Sequence, residues 1–377
     1  MPNLTKKSQA AKRRAAQATL DCRGNRRIVL AAAALLVLAT VGAYHNSFNG
    51  PFILDDPSSI SDNPTIFHLD SIGTVLSPPN VEGITVMGRP ILNLSLALNY
   101  ALGGANVRGY HVFNLAIHVL AALTLMGIVR RTLLLPSMRG AMLPSSEAWL
   151  GPSMVARHAS ENGSMAPYLA GAVAMLWALH PLQTESVTYV IQRAESLMGL
   201  FYLLTLYCVI RSSSSGSALW PLAAVLSCAM GMATKEVMVT VPVIVLLYDR
   251  TFLAGSFAGA LRKRWGLYAA LAACWAVLFC LMVHAGSRGE SAGFGARDVP
   301  GWWPYAQTQC WAILKYLLLT LWPAGLCLDY GTSTRLPLWQ IVSGALALPN
   351  KVKPWLLTTL REKLVKIGPK GSPVPGT

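Results

Sequence analysis

Two adjacent carboxylates, Asp55 and Asp56, stand in the stretch FNGPFILDDPSSISDNP (48–64), among turn-forming residues and directly after a hydrophobic run. Two carboxylates at a dielectric boundary raise each other's pKa, because each disfavours the charged form of the other. One of them then becomes a proton acceptor near neutral pH, as a general base requires. The alternative is an acidic pair that forms a turn or caps a helix, a common role for aspartate.

Lys235 and Glu236, in TKEVMVTVP, lie at the turn between two short apolar runs. A lysine at this position could face a lipid phosphate, and an ordinary loop pair is the alternative. Arg89 stands beside Pro90 in GRPILN at the start of an amphipathic segment, where an interfacial arginine with its stem along apolar surface is typical. Arg288, in SRGESAGFG, belongs to a polar loop.

The stretch HPLQTESVTYVIQRAES (180–196) is the densest polar segment next to apolar sequence. It contains His180, Glu185, Arg193 and Glu195. Ionisable groups at membrane depth are costly, so they are usually paired or functional. Ion pairs of Arg193 with Glu185 or Glu195 are the structural alternative to a role in a site.

Three further polar residues, His111, Asn114 and His118, share one helical face because they are spaced by three and four residues. No acidic ligand is spaced alongside them in the sequence. We therefore expect hydrogen bonds between helices rather than a metal site.

The composition indicates the class of protein, and hence the kind of secondary structure that must position these residues. The chain has 377 residues, of which 53% are hydrophobic and 12% are charged, whereas soluble domains carry about 25% charged residues. This predicts an all-α polytopic membrane protein. The net charge of +15 fits basic cytoplasmic loops, and no nucleic-acid-binding motif accompanies it. The seven cysteines form no CxxC pair, so neither a disulfide framework nor a zinc site is indicated.

Eight apolar runs predict membrane spans, at about 28–44, 111–129, 167–180, 197–210, 218–233, 237–248, 265–284 and 302–326. A weaker run lies at 338–348. We predict a basic cytoplasmic tail at 1–27, a transmembrane domain at 28–349 and a basic, partly disordered tail at 350–377. In the first external loop, the amphipathic stretches IFHLDSIGTVL and PILNLSLALNYAL are expected along the membrane surface.

If successive spans cross the membrane in opposite directions, the charged motifs divide between its two sides. The basic clusters at 12–14, 130–131 and 262–264 fall on one side. The polar motifs at 55–56, 89, 180–195, 235–236 and 288–290 fall on the other. Because basic loops are cytoplasmic, we expect a cytoplasmic N-terminus and one site at the outer membrane face. The expected location is the bacterial inner membrane.

The ordered motifs resemble a known family. The series FILDD…ISDNP…GRPILNLSLALNYALGGANVRGYHVFNLAIH…ALHPLQTESVTYVIQRAESL…ATKEVMVTVPVIVLLYD…TQCWAILKYLLLTLWPAGLCLDY is similar to the membrane half of the transmembrane and tetratricopeptide-repeat O-mannosyltransferases and their bacterial relatives. These belong to the GT-C glycosyltransferases. The resemblance covers roughly residues 28–330.

The resemblance implies a GT-C-like transmembrane helix bundle. It would move a sugar, mannose in the family, from a polyprenyl-phosphate donor to a Ser/Thr hydroxyl of a protein acceptor. Asp55 or Asp56 matches the position of the base, and no metal or other cofactor is implied. The positions that match donor phosphate-binding residues are Arg89, Arg193, Lys235 and, more loosely, Arg288, with His180, Glu185, Glu195 and Glu236 as supporting polar residues.

The similarity fades after Tyr330, where the family continues with further spans and a repeat array. We therefore expect a C-terminally truncated chain. A non-catalytic scaffold or relic is the alternative to an enzyme. A transporter is disfavoured, because its ionisable residues would lie at the bilayer midplane, whereas here they cluster towards one face.

Overall fold

A computed structural model of the chain describes residues 25–81, 84–135, 137–138, 152–285, 312–313 and 315–326, with the backbone alone for 152–164. The chain divides into two units, Met1–Ser287 and Arg288–Thr377. The described residues of the second unit include an apolar helical segment that ends at Leu321. The described residues from 25 to 285 belong to the first unit, and 312–313 and 315–326 belong to the second.

Eight longer helices build the described part of the first unit. We number them α1 (Asn25–Asn49, with a 3-10 turn at His45–Asn49), α2 (Pro90–Gly103), α3 (Val107–Leu133), α4 (Pro152–Ala178), α5 (Arg193–Ser214), α6 (Leu219–Met232), α7 (Val241–Tyr248) and α8 (Phe257–Ala285). Shorter helical turns lie at Asp56–Ser59, Pro64–Ile66, Ile72–Val75, Pro181–Gln183, Thr184–Thr188, Val190–Gln192 and Glu236–Thr240, and a π-helical turn at Asp249–Ala254 follows α7.

Five helical segments in the described residues are long and apolar enough to cross a bilayer. They are Asn25–Asn49, Val107–Leu133, Val190–Ser214, Glu236–Ala254 and Phe257–Ala285. Met165–Ala178 and Pro181–Thr188 make a sixth span if the pair, bent by 54°, is counted as one. The chain is an all-α polytopic membrane protein, as its composition predicted.

Two predicted spans differ from simple crossings. The run at 167–180 ends in a break at Pro181, whose ring nitrogen cannot donate the helical hydrogen bond. The run at 218–233 forms α6, which has only 14 residues. Of the predicted run at 302–326, residues 302–311 and 314 lie outside the described residues, and 338–348 and the tail 350–377 lie wholly outside them.

The helices pack around a core in which α3 contacts α4 and α5, α5 contacts α6, and α6 contacts α8. Phe201, Met232, Met238 and Leu271 belong to the largest buried apolar cluster. Gly231 packs closely against Met238, so a Cβ at this position would force the methionine side chain to move. That close contact folds the turn after α6 back onto the bundle.

The segment between α1 and α3 forms a smaller core of its own. Ile60, Ile66, Val75 and Leu92 are buried in it. Asn93 on α2 donates from Nδ2 to the Val75 carbonyl at 2.7 Å. The predicted amphipathic stretch at 90–102 is thus a helix with a buried face, whereas the stretch at 66–76 contains only the short helix Ile72–Val75 and part of a 3-10 turn.

Aromatic contacts gather basic residues at one end of the bundle. The Arg131 guanidinium lies over the Tyr207 ring at 5.4 Å, and the Arg211 guanidinium lies over Trp220 at 4.4 Å. The Tyr207 and Trp220 rings also contact each other, with centroids 6.2 Å apart. The ends of α3 and α5 and the start of α6 therefore meet.

A buried ion pair brings the end of α7 and the start of α8 to the same end. The carboxylate of Asp249 is fully buried and accepts hydrogen bonds from Arg264 Nη1 at 2.5 and 2.7 Å and from the Tyr268 hydroxyl at 2.6 Å. The Tyr248 hydroxyl lies 2.6 Å from Thr132 Oγ1 on α3. The basic cluster at 262–264 thus lies at the same end of the bundle as Arg131.

We predict that Asp249→Asn lowers the free energy of unfolding by about 3 kcal/mol, because it removes the counter-charge of a largely buried arginine. Tyr268→Phe removes one hydrogen bond and should cost about 1 kcal/mol. Reversible unfolding in mixed detergent micelles, followed by circular dichroism, measures both values. Equal losses in the two variants would contradict the importance of the ion pair.

Candidate functional site

The structure separates the two adjacent aspartates. Asp56 is fully buried, and its carboxylate accepts hydrogen bonds from the Ile191 N–H at 2.8 Å and the Ile53 N–H at 2.9 Å. Asp55 is exposed, and its backbone N–H donates to the Tyr189 hydroxyl at 3.0 Å. One carboxylate therefore joins two chain segments, and the other is available at the surface.

Asp56 is a weaker acid than an ordinary aspartate, and burial is the main cause. Burial raises the pKa of Asp56 to about 6, with a smaller upward contribution from Asp55 and opposing contributions from the two backbone N–H groups. Repulsion between the neighbouring carboxylates, which the sequence predicted as the cause of a raised pKa, is here the lesser cause. Asp56 is a buried link between segments, so the exposed Asp55 is the better candidate for a base.

The backbone just before Asp55 is strained. Leu54 has a φ of +49°, in the left-handed region that residues with a Cβ rarely adopt. Such a conformation costs of the order of 1–3 kcal/mol and persists only where surrounding contacts enforce it. The hydrogen bonds of Asp55 to Tyr189 and of Asp56 to Ile191 are contacts of this kind.

Thr85 links Arg89 to Asp55 by hydrogen bonds. The Thr85 hydroxyl donates to Asp55 Oδ2 at 3.3 Å, and Arg89 Nη1 donates to the Thr85 carbonyl at 2.9 Å. Arg89 Nη2 forms an ion pair with Glu236 at 3.2 Å. The pair is possible because the Ile91 N–H donates to the Ala233 carbonyl at 3.1 Å, which joins the start of α2 to the end of α6.

The Arg89 guanidinium has little contact with solvent, with 16% of its side chain exposed. Burial lowers the pKa of Arg89, and the nearby Glu195 opposes that shift. Its Nε–H has no acceptor within the described part of the chain. An anion that reached this nitrogen would therefore satisfy a buried donor.

Lys235 forms an ion pair with Glu195 at the start of α5. Its side chain is 18% exposed and that of Glu195 is 41% exposed. Together with the contacts of Arg89, this pair defines the polar cluster of this protein, which consists of Asp55, Arg89, Glu195, Lys235 and Glu236. The cluster lies at the start of α5 and the end of α6, opposite the basic end described above.

Arg193, which the resemblance matched to a phosphate-binding position, makes all of its hydrogen bonds within the protein. Its side chain is fully buried. Its nitrogens donate to Asn114 Oδ1 at 2.6 Å, Asn99 Oδ1 at 2.8 Å, and the carbonyls of Ser95 and Tyr110, both at 3.1 Å. This guanidinium holds three helices together and is not exposed in this structure. Its predicted role in phosphate binding stays a prediction.

Three predicted site residues remain, namely Glu185, His180 and Arg288. Glu185 is exposed and lies close enough to Glu195 and Lys235 to interact with their charges. His180 Nδ1 accepts from the Leu182 N–H at 3.2 Å and caps the turn after α4. Arg288 lies outside the described residues.

The polar face at His111, Asn114 and His118 binds main-chain groups, as expected. His111 Nε2 lies 3.1 Å from the Gly50 carbonyl oxygen and His118 Nε2 lies 3.0 Å from that of Ala178. Across the described residues, no group of three His, Cys, Asp or Glu side chains is placed to hold a metal ion. The sequence argument missed Thr85, because a threonine in a loop carries no pattern that distinguishes it.

The arrangement offers two complementary chemical features on one surface. Asp55 is an exposed carboxylate that can accept a proton. Arg89 and Lys235 are cations held in place by Glu236 and Glu195, and fixed cations stabilise charge that develops on a phosphate oxygen.

The chain is similar in sequence to several curated proteins. It is 30% identical over 220 residues to protein O-mannosyl-transferase TMTC2 of Mus musculus, which covers 55% of this chain and 22% of the relative. It is 27% identical over 235 residues to TMTC3 of Homo sapiens, covering 59% and 22%. With Tmtc3 of Drosophila melanogaster it shares 30% identity over 174 residues, covering 45% and 18%.

The matched region spans about a fifth of the length of these relatives. No family model matches the chain. No solved structure matches it either.

We predict a distinctive pH dependence from Asp56. Its folded-state pKa of about 6 lies above the ordinary value of 3.8, so the folded chain keeps a proton that the unfolded chain loses. Its contribution to stability is therefore largest below pH 3.8 and declines as the pH rises through 6. The stability of the wild type should fall by about 2 kcal/mol relative to Asp56→Asn between pH 4 and pH 7, because each pKa unit corresponds to about 1.4 kcal/mol.

Denaturation in mixed micelles at a series of pH values measures this difference. Subtracting the profile of the variant removes the contributions of the other carboxylates. A difference that stays constant from pH 4 to pH 7 would contradict the assignment.

Proposed function

We propose that the chain is a membrane glycosyltransferase that moves mannose from a polyprenyl-phosphate donor to a Ser/Thr hydroxyl of a protein acceptor. The observation that carries the proposal is the polar cluster, in which an exposed carboxylate is linked through Thr85 to Arg89 and two cations are held by carboxylates. Its similarity to protein O-mannosyl-transferases supplies the sugar and the acceptor class. On this proposal the helices form a GT-C-like bundle.

The proposed reaction is a single inverting displacement. The Asp55 carboxylate removes the proton of the acceptor hydroxyl as its oxygen attacks C1 of the sugar. The bond from C1 to the phosphate oxygen breaks, and the polyprenyl phosphate leaves with the electron pair. Arg89 and Lys235 stabilise the charge on that leaving phosphate, so catalysis depends on positioning and electrostatics.

The ion pairs of the cluster fix the cations where the phosphate would bind. Glu236 orients the Arg89 guanidinium through Nη2, and Glu195 holds the Lys235 ammonium. The Arg89 Nε–H remains available as a donor. Groups held in advance do not have to reorganise during the reaction, which makes their stabilisation larger.

The proposed orientation follows from the two ends of the bundle. The end with Arg131, Arg211 and Lys263 faces the cytoplasm, because basic residues are retained on that side. The polar cluster then faces the other side, where a lipid-linked sugar would be presented. The N-terminus is cytoplasmic, and the bacterial inner membrane is the proposed location.

A non-catalytic membrane scaffold is the second candidate function. Its specific support is that both cations of the cluster already have carboxylate partners and that Arg193 is bonded entirely within the protein. In a scaffold these contacts would serve only to hold helices together. Sugar transfer distinguishes the two functions.

We predict that Asp55→Asn reduces transfer at least about 100-fold, the usual effect of removing a general base. The assay uses vesicles that contain the full chain, labelled polyprenyl-phosphate mannose and a Ser/Thr-rich peptide. Asp62→Asn is the matched control, since Asp62 is an exposed aspartate of the same loop and should change the rate by no more than about twofold.

A fully folded wild type that transfers no sugar from several lipid-linked donors would favour the scaffold. Equal activity in wild type and Asp55→Asn would remove Asp55 from the mechanism. Folding of each variant is checked by its thermal unfolding in detergent.

We also predict that Arg89→Gln lowers kcat/KM for the donor by roughly 10- to 100-fold, because a hydrogen bond to a charged group contributes about 1.5–3 kcal/mol. Inhibition by a short-chain prenyl phosphate should weaken in parallel. Arg108→Gln is the control, because Arg108 is exposed and forms no part of the cluster. Unchanged inhibition by the prenyl phosphate would exclude Arg89 as a phosphate ligand.

A further inference from the structure

A groove of about 540 Å³ lies at the basic end of the bundle, far from the polar cluster. It runs between the start of α6 and the first part of α8, with the end of α5 beside it. Much of its wall is apolar and comes from Pro221, Leu222, Val225 and Leu267. Leu222 is exposed, so the groove opens at the outside of the bundle, where membrane lipid would surround it.

A kink in α8 shapes this groove. The backbone at Arg264 departs from helical geometry, with φ −133° and ψ 31°. The Arg264 side chain, only 12% exposed, is held by the buried carboxylate of Asp249. The charge of Arg264 is thereby neutralised, although the residue lines the groove.

Lys263 supplies the uncompensated charge of the groove. It lines the groove, is exposed and forms no ion pair with any residue the structure describes. Arg211 and Arg262 add positive charge at the same end, and the Asp249 carboxylate is already bonded to Arg264 and Tyr268. The local balance is therefore basic.

Trp265 marks the expected depth of the groove in the membrane. Its indole lines the groove and is 73% exposed. Exposed tryptophans are enriched at the level of the lipid headgroups, with lysine and arginine on the cytoplasmic side. An apolar trough that ends at a tryptophan and a lysine thus matches the amphipathic profile of a phospholipid.

We propose that this groove binds one anionic glycerophospholipid, with an acyl chain along the apolar wall and the headgroup phosphate at Lys263 Nζ. The apolar wall explains affinity for a lipid chain, and the excess of positive charge explains selection of an anionic headgroup. The site is separate from the polar cluster and does not depend on catalytic activity.

The test compares lipids retained by the full-length protein when it is released from nanodiscs into native mass spectrometry. The nanodiscs contain phosphatidylglycerol and phosphatidylcholine in equal amounts. The wild type should retain phosphatidylglycerol in preference to phosphatidylcholine. Lys263→Gln should reduce that preference about fivefold, the effect of one basic residue at a membrane surface.

Two further variants separate a site from general surface charge. Arg262→Gln removes the same charge from the neighbouring exposed residue, which does not line the groove, and should reduce the preference clearly less than Lys263→Gln does. Leu222→Trp narrows the groove at an exposed position and should lower retention of both lipids. No preference in the wild type, or equal losses in Lys263→Gln and Arg262→Gln, would overturn the proposal.

Discussion

The rest of the structure depends on the buried carboxylate of Asp56. A buried charge or carboxyl group is tolerated only with hydrogen-bond partners, and here both partners are main-chain N–H groups, from Ile53 and Ile191. This joins the loop after α1 to the turn before α5. Arg193 follows two residues later and is bonded to α2 and α3. Residues 191–193 are therefore held by both sets of hydrogen bonds. Because Asp55 directly precedes Asp56, these contacts also position the exposed Asp55.

The membrane architecture could be predicted from sequence because length and apolarity determine it locally. The polar cluster could be predicted in part, since Arg89, Lys235 and Glu236 stand out as charges beside apolar runs. The role of Arg193 could not be predicted, because it depends on acceptors that lie 79 to 98 residues away in sequence. For the same reason, the sequence did not show which of the two aspartates is buried.

Basic side chains make different contacts at the two ends of the bundle. In the polar cluster each cation lies against a carboxylate, so charge there is fixed in place and largely balanced. At the opposite end, Arg131 and Arg211 lie over aromatic rings, which keep the guanidinium charge without neutralising it. Positive charge is thus largely balanced at one end and retained at the other.

Helix α6 connects these two ends with only 14 residues. At about 1.5 Å per residue it rises about 21 Å, whereas the hydrocarbon core of a bilayer is about 30 Å thick. Where an apolar helix is shorter than the hydrocarbon core, the bilayer thins beside it or flanking residues reach towards the interface. Either accommodation would act at the ends of α6, and the turn that carries Lys235 and Glu236 follows one of those ends.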